Sequence, residues 1–136
     1  FYRDFSLMRM DAVAQNIPMM IRFAEDTTMA HMPGQPTPFM YSFFRYDVVS
    51  NPWDNYNIDS GRGVHTRRCG SFVGTTDNTL TIAFDASGMV VDHNNMTIPR
   101  NHNFTLFNVR GDYRDEHDVE IFPSGGIHVT KELDEE

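Results

Sequence analysis

The sequence predicts an all-β domain, an antiparallel sandwich or jelly-roll-like fold with a short N-terminal helix or arm. Three observations carry that expectation. Leu80, Ile82 and Phe84 alternate with Thr79, Thr81 and Ala83, the period of two that marks a strand with one buried face. The chain is rich in Phe, Val, Ile, Thr and Tyr and poor in strong helix formers, with eleven Phe and nine Met in 136 residues. Finally, turn clusters such as Thr75-Thr76-Asp77-Asn78 and Asp85-Ala86-Ser87-Gly88 recur between short apolar runs.

The elements follow in order. Residues 1–16 form the best helix candidate, with Asp4 as a cap and Phe5, Met8, Ala12 and Val13 on one face. Pro18 ends it. An arm laid on a neighbouring subunit would have the same apolar pattern. Met19 to Phe23 reads as a strand. Pro33, Pro36 and Pro38 place a surface loop between Glu25 and Pro38, because proline has no N–H for a ladder. Phe39 to Val49 is a long aromatic run, expected to be a strand buried on both faces or lying in an interface. Ser50 to Gly63, with Trp53 and Tyr56, reads as a long exposed loop, and Val64 to Arg68 as a strand. Phe72 to Thr75, Thr79 to Phe84 and Met89 to Val91 are expected to form one three-stranded meander. Asp92 to Asn95 is a turn. Met96 to Ile98, Phe104 to Val109, Val119 to Phe122 and Ile127 to Thr130 are further strands, and Phe122-Pro-Ser-Gly-Gly-Ile127 is a hairpin signal. Residues 131–136 form a frayed acidic tail. No repeat or boundary divides the chain, so residues 1–136 are expected to be a single β-rich domain.

Composition limits function. The formal net charge is -8 and the pI is about 5.1. No basic stripe exists for phosphates, so nucleic acid is not an expected partner. No apolar run is long enough to span a membrane as a helix. Arg outnumbers Lys ten to one, and Lys131 is the sole lysine. Arg suits interfaces through its fixed forked donors, although genome composition would give the same bias. Cys69 is the single cysteine, which rules out an intramolecular disulfide. The start at Phe1 is expected of a processed product, a polyprotein fragment or a trimmed chain.

Five patterns bear on chemistry. Arg110-Gly111-Asp112 resembles the integrin-binding tripeptide of matrix and viral surface proteins, which implies a cell-surface receptor as partner. A plain turn after Val109 is the simpler reading. Asp112, Asp115, Glu116, His117, Asp118 and Glu120 crowd carboxylates without EF-hand spacing and read as a solvated acidic loop. Met29, His31 and Met32, with Met19, Met20 and Met40 nearby, offer thioether and imidazole ligands suited to Cu(I), and equally a Met-rich core or interface. Cys69 lies beside Arg67 and Arg68, which can lower a thiol pKa, but no nucleophile elbow or family signature surrounds it. Asn95-Met-Thr97 and Asn103-Phe-Thr105 are glycosylation sequons, which matter in a secretory setting. No catalytic residue, metal site or cofactor is assigned.

Asn51-Pro-Trp-Asp-Asn-Tyr56-Asn57-Ile-Asp-Ser60-Gly61, followed by Val64 and Gly70-Ser-Phe72, resembles the central motif of the complement-type globular heads. Those are trimeric jelly rolls related to tumour necrosis factor. Tyr46-Asp47 stands one residue closer to Asn51 than that motif has it, and Phe122-Pro-Ser-Gly125 replaces its closing Phe-Ser-Gly strand. The resemblance implies a self-associating jelly roll.

The expected function is therefore a structural or binding module that acts through its surface as a subunit of a larger assembly, in a virion or an extracellular adhesion protein. Its partners would be copies of itself or other subunits. Phe39, Tyr41, Phe43, Tyr46, Trp53, Tyr56, Arg110, Gly111 and Asp112 are the expected contact residues, since aromatics and Arg dominate interface energetics. The alternative is a β-barrel that binds a small ligand or metal in a Phe/Met-rich pocket. An enzyme dependent on Cys69 or a histidine ranks behind both.

Overall fold

The computed structural model describes residues 1–31, 33–47, 53–58, 63–70, 72–110 and 113–134, with no account of the side chains at 110 and 132–134. It is mostly β, with antiparallel sheets and one N-terminal helix. The helix α1 spans Tyr2–Gln15, and the strands are β1 Met19–Glu25, β2 Phe39–Tyr46, β3 Trp53–Asn55, β4 Thr66–Arg68, β5 Val73–Thr75, β6 Thr81–Phe84, β7 Val90–Val91, β8 His102–Arg110, β9 Tyr113–Ile121 and β10 Ile127–Asp134. The first sheet runs β3-β2-β1-β6-β7, and β4 follows β3 along the same edge of β2. The second runs β10-β9-β8-β5.

Register explains the core. Ile21 pairs with Phe43 and with Ile82, Phe23 with Tyr41, and Met19 with Phe84. These residues share one face of the first sheet, and all are buried. Helix α1 covers part of that face through Phe5, Met8 and Ala12, and the second sheet covers another part through Phe104, Val119 and Ile121. Phe5 meets Phe84 at 5.0 Å between centroids, and Phe23 meets Phe104 at 5.4 Å. The Phe- and Met-rich core is thus built from the chain's own helix and two sheets.

The helix face is as expected for Phe5, Met8 and Ala12, but Val13 is exposed. Asp4 does not cap the helix. The N-cap is Phe1, and Asp4 sits in the first turn, where a carboxylate suits the helix dipole. Its side chain instead turns inward to Tyr41. Asn16, in the left-handed conformation at φ 55°, ends the helix before Pro18.

Several expectations are corrected. The three-stranded meander does not form: β6 and β7 make a hairpin in the first sheet, whereas β5 pairs with β8 in the second. The Ser50–Gly63 stretch contains a strand, β3, because Trp53 pairs with Tyr46 across β2. Met96 to Ile98 forms a turn closed by Ile98 N–H to the Asn95 carbonyl at 3.0 Å. The acidic segment that reads as a loop is β9. Val119 and Ile121 point inward, and the register puts Glu116, Asp118 and Glu120 on the opposite face. The frayed tail is shorter than expected: Lys131 to Asp134 continue β10 and pair with His117 to Arg114.

Candidate interaction surface

Phe39, Tyr41 and Phe43 lie in the core, at 1%, 7% and 0% exposure, in contact with the chain's own helix and sheets. Tyr41 Oη donates to Asp4 Oδ2 at 2.7 Å, and Arg67 Nε lies 3.3 Å from the same oxygen. Burial raises the Tyr41 phenol well above its ordinary range, and the Asp4 carboxylate adds to the rise. This tyrosine is a permanent hydrogen-bond donor that fixes the helix start against β2.

Tyr46 and Trp53 meet edge-on at 5.5 Å on the rim of the first sheet, both half-buried. Tyr56 Oη donates to Asp11 Oδ2 at 2.7 Å and accepts from Gln15 Nε2 at 3.1 Å. Tyr56 therefore ties the chain after β3 to the helix. Arg110 pairs with Tyr113 across the β8–β9 hairpin, and Gly111 and Asp112 lie outside the described residues. The chain brings Tyr46, Trp53 and Tyr56 to one edge of the first sheet, whereas Arg110 ends β8 in the second.

The residues behind the chemical alternatives are placed as follows. Burial pushes the Cys69 thiol up to about 11, reinforced by the carboxylates of Asp4 and Asp26. The expected activation by arginine fails because Arg67 and Arg68 are committed to Asp4 and Asp26. Among the described residues no three His, Cys, Asp or Glu side chains stand where they can hold a metal. Met19 and Met20 are fully buried, His31 Nε2 bonds the Gln35 carbonyl at 2.9 Å, and Met32 lies outside the described residues. No described helix is long and apolar enough to cross a membrane.

The feature that stands out is the outer half of the second sheet. Its inner face runs past the core as an open groove of about 350 Å³, lined by Phe1, Tyr2, Val73, Leu106, His117 and Val129 among others. Tyr2 is 57% exposed and Val129 38%. Tyr113, 59% exposed, lies further out on the same face by register. The other face is polar. Thr105 Oγ1 donates to Asp118 Oδ1 at 2.7 Å, and Arg114 stacks on Phe107 at 4.0 Å. Nothing among the described residues pairs with the outer edge of β10.

Sequence reasoning did not single out Tyr2, Leu106 or Val129, and it read His117 only as part of a solvated acidic loop. The alternation in Ile127-His128-Val129-Thr130 was a usable signal for a half-exposed strand, but which half would outrun the core depends on the length of β1 and β2 beneath it. No protein-family model, curated protein or solved structure matches the chain.

Proposed function

We propose that the protein is a structural or binding β-domain that works through its surface as a subunit of a larger assembly, of the virion or extracellular adhesion kind. We read its two sheets as a sandwich-like arrangement over one core. The observation that carries the functional reading is the apolar groove between the start of α1 and the outer half of β8–β9–β10. Large apolar groups left open in a concave surface mark contact sites, because covering them removes water from apolar area. Tyr2 supplies an aromatic anchor of the kind that carries contact energy, and the groove lies on regular strands rather than on a loop.

Native mass spectrometry of the purified chain, alone and as Tyr2→Asp, tests this reading. The expected result is a defined oligomer or a captured protein partner, weakened by the charge placed in the groove. A monodisperse monomer that binds nothing, with Tyr2→Asp indistinguishable from it, would overturn the proposal. A second reading rests on the same groove, whose volume lies within the range of small-molecule sites. A monomer carrying one extra mass, lost in Tyr2→Asp, would select it.

A further inference from the structure

β10 is the edge of the second sheet and runs for eight residues. The other edges are short: β3, β4 and β5 have three residues each and β7 has two. A long open edge presents unpaired N–H and C=O groups that another strand can complete. The direction of these groups follows from the hairpin. Phe122 N–H bonds the Gly126 carbonyl at 2.9 Å, and the pairing continues as Ile121–Ile127, Glu120–His128 and Asp118–Thr130. In an antiparallel ladder alternate residues point their N–H and C=O to opposite sides. The even-numbered residues of β10 therefore bond β9, and Ile127, Val129, Lys131 and Leu133 turn their backbone groups outward.

We infer that this edge pairs with the β10 edge of a second copy, antiparallel, about a two-fold axis at Thr130. Outward groups must meet outward groups, so odd-numbered residues face odd-numbered residues. Centring on Lys131 would put the sole lysine of each copy opposite its twin, and like charges directly opposite are unfavourable. Centring on Thr130 places Ile127 opposite Leu133 and Val129 opposite Lys131, which are the hydrogen-bonded pairs. It also places residue 128 opposite residue 132 twice, at the closer non-hydrogen-bonded spacing. The two inner faces then lie on one side of a continuous sheet, so the grooves at Val129 are neighbours across the axis. This inference rests on the assembly reading and names its partner.

Val129→Pro tests it selectively. The Val129 N–H points away from β9, so proline removes an edge donor and spares the hairpin ladder. Sedimentation of the unmodified chain is expected to give a species of twice 15.7 kDa, and Val129→Pro the single-chain mass with unchanged circular dichroism. A dimer that survives Val129→Pro would overturn the edge pairing and leave assembly through another surface standing. A monomer at every concentration for the unmodified chain would overturn self-pairing, and the groove variant then tests the broader reading on its own. Should Val129→Pro lose its fold, crosslinking decides. Thr130→Cys in a Cys69→Ser background places two thiols opposite each other at the axis, where the Cα separation of a non-hydrogen-bonded pair, about 4.5 Å, lies within the span of a disulfide. Covalent dimer from Thr130→Cys but not from Lys131→Cys is expected, and equal or absent crosslinking would overturn the register.

Discussion

His102 opens β8 and is 7% exposed, and its Nε2 has no hydrogen-bond partner among the described residues. Burial and the positive charge of Arg100 lower its pKa from 6.5 to about 4. The folded protein therefore keeps this imidazole neutral, while the unfolded chain takes a proton at 6.5. The stability penalty is absent above about pH 6.5, grows as pH falls through that value, and is complete near pH 4. A shift of this size corresponds to about 3 kcal/mol. The carboxylates act in a separate window. Asp26, lowered chiefly by its hydrogen bond from Thr28, and Asp92, lowered chiefly by the Asn94 N–H, stabilise above 3.8 and lose that contribution as pH falls further. Urea unfolding at pH 7, 5.5 and 4.5 spans the histidine's window. His102→Leu is expected to flatten the loss of stability over that range, and an unchanged pH profile in the variant would show that another group titrates there.

At the scale of elements, one side chain of helix α1 reaches turns of both sheets. Arg9 Nε donates to the Gly88 carbonyl at 2.9 Å in the β6–β7 turn, and its Nη2 to the Ser124 carbonyl at 3.3 Å in the β9–β10 turn. Val90 N–H reaches the Pro123 carbonyl at 2.9 Å, so the two turns also touch directly. Gly125, at φ 91°, lies against the Arg9 side chain, and a Cβ there would collide with it. Arg9→Ala is expected to cost about 1–2 kcal/mol, given that its bonds are charge-assisted but partly open to water. Gly125→Ala carries both the strain of its φ and the collision. The collision vanishes once Arg9 is shortened, so a double-mutant cycle should show the pair costing less than the two singles added, and strict additivity would rule out the contact. None of this long-range pairing is visible in sequence. Local patterns were legible: Ile82 and Phe84, Met19 to Phe23, the Phe122–Gly126 hairpin and, on α1, Phe5, Met8 and Ala12 but not Val13 formed where periodicity and turn chemistry placed them. What failed was partner choice. Val73–Thr75 and Thr81–Phe84 are neighbours in sequence yet belong to different sheets, because β6 is held by β1 and β5 by β8. Charge also misled. The carboxylates of β9 alternate with Val119 and Ile121, and a strand with one solvated face accepts them as readily as a loop does. The aromatic run of β2 carried two readings because a core strand and an interface strand share one composition, and its Phe39, Tyr41 and Phe43 are buried in the chain's own core.

For the whole molecule, the helix and both sheets all contribute residues to one buried cluster. Phe1 packs against Phe5, Phe23, Tyr41 and Phe104 at 5.5–6.1 Å, which brings the helix and both sheets into one aromatic cluster. Phe104, 5% exposed, is the second sheet's contribution to it. Truncating it opens a cavity against Phe23 of the first sheet, at a cost of about 3–5 kcal/mol, comparable to much of the stability of a small domain. If the core is shared, that cost is felt everywhere at once. Trp53 is the sole tryptophan and sits on the far rim of the first sheet, away from Phe104. Its fluorescence during urea unfolding therefore reports the sheet that does not carry the substitution. Phe104→Ala is expected to lower the Trp53 midpoint and the far-ultraviolet circular dichroism midpoint together and by the same amount, since a cooperative chain has one transition for all probes. A Trp53 midpoint that stays in place while the circular dichroism signal moves would mean that the two sheets unfold as separate units. The aromatic cluster would then be a contact between domains rather than the core of one.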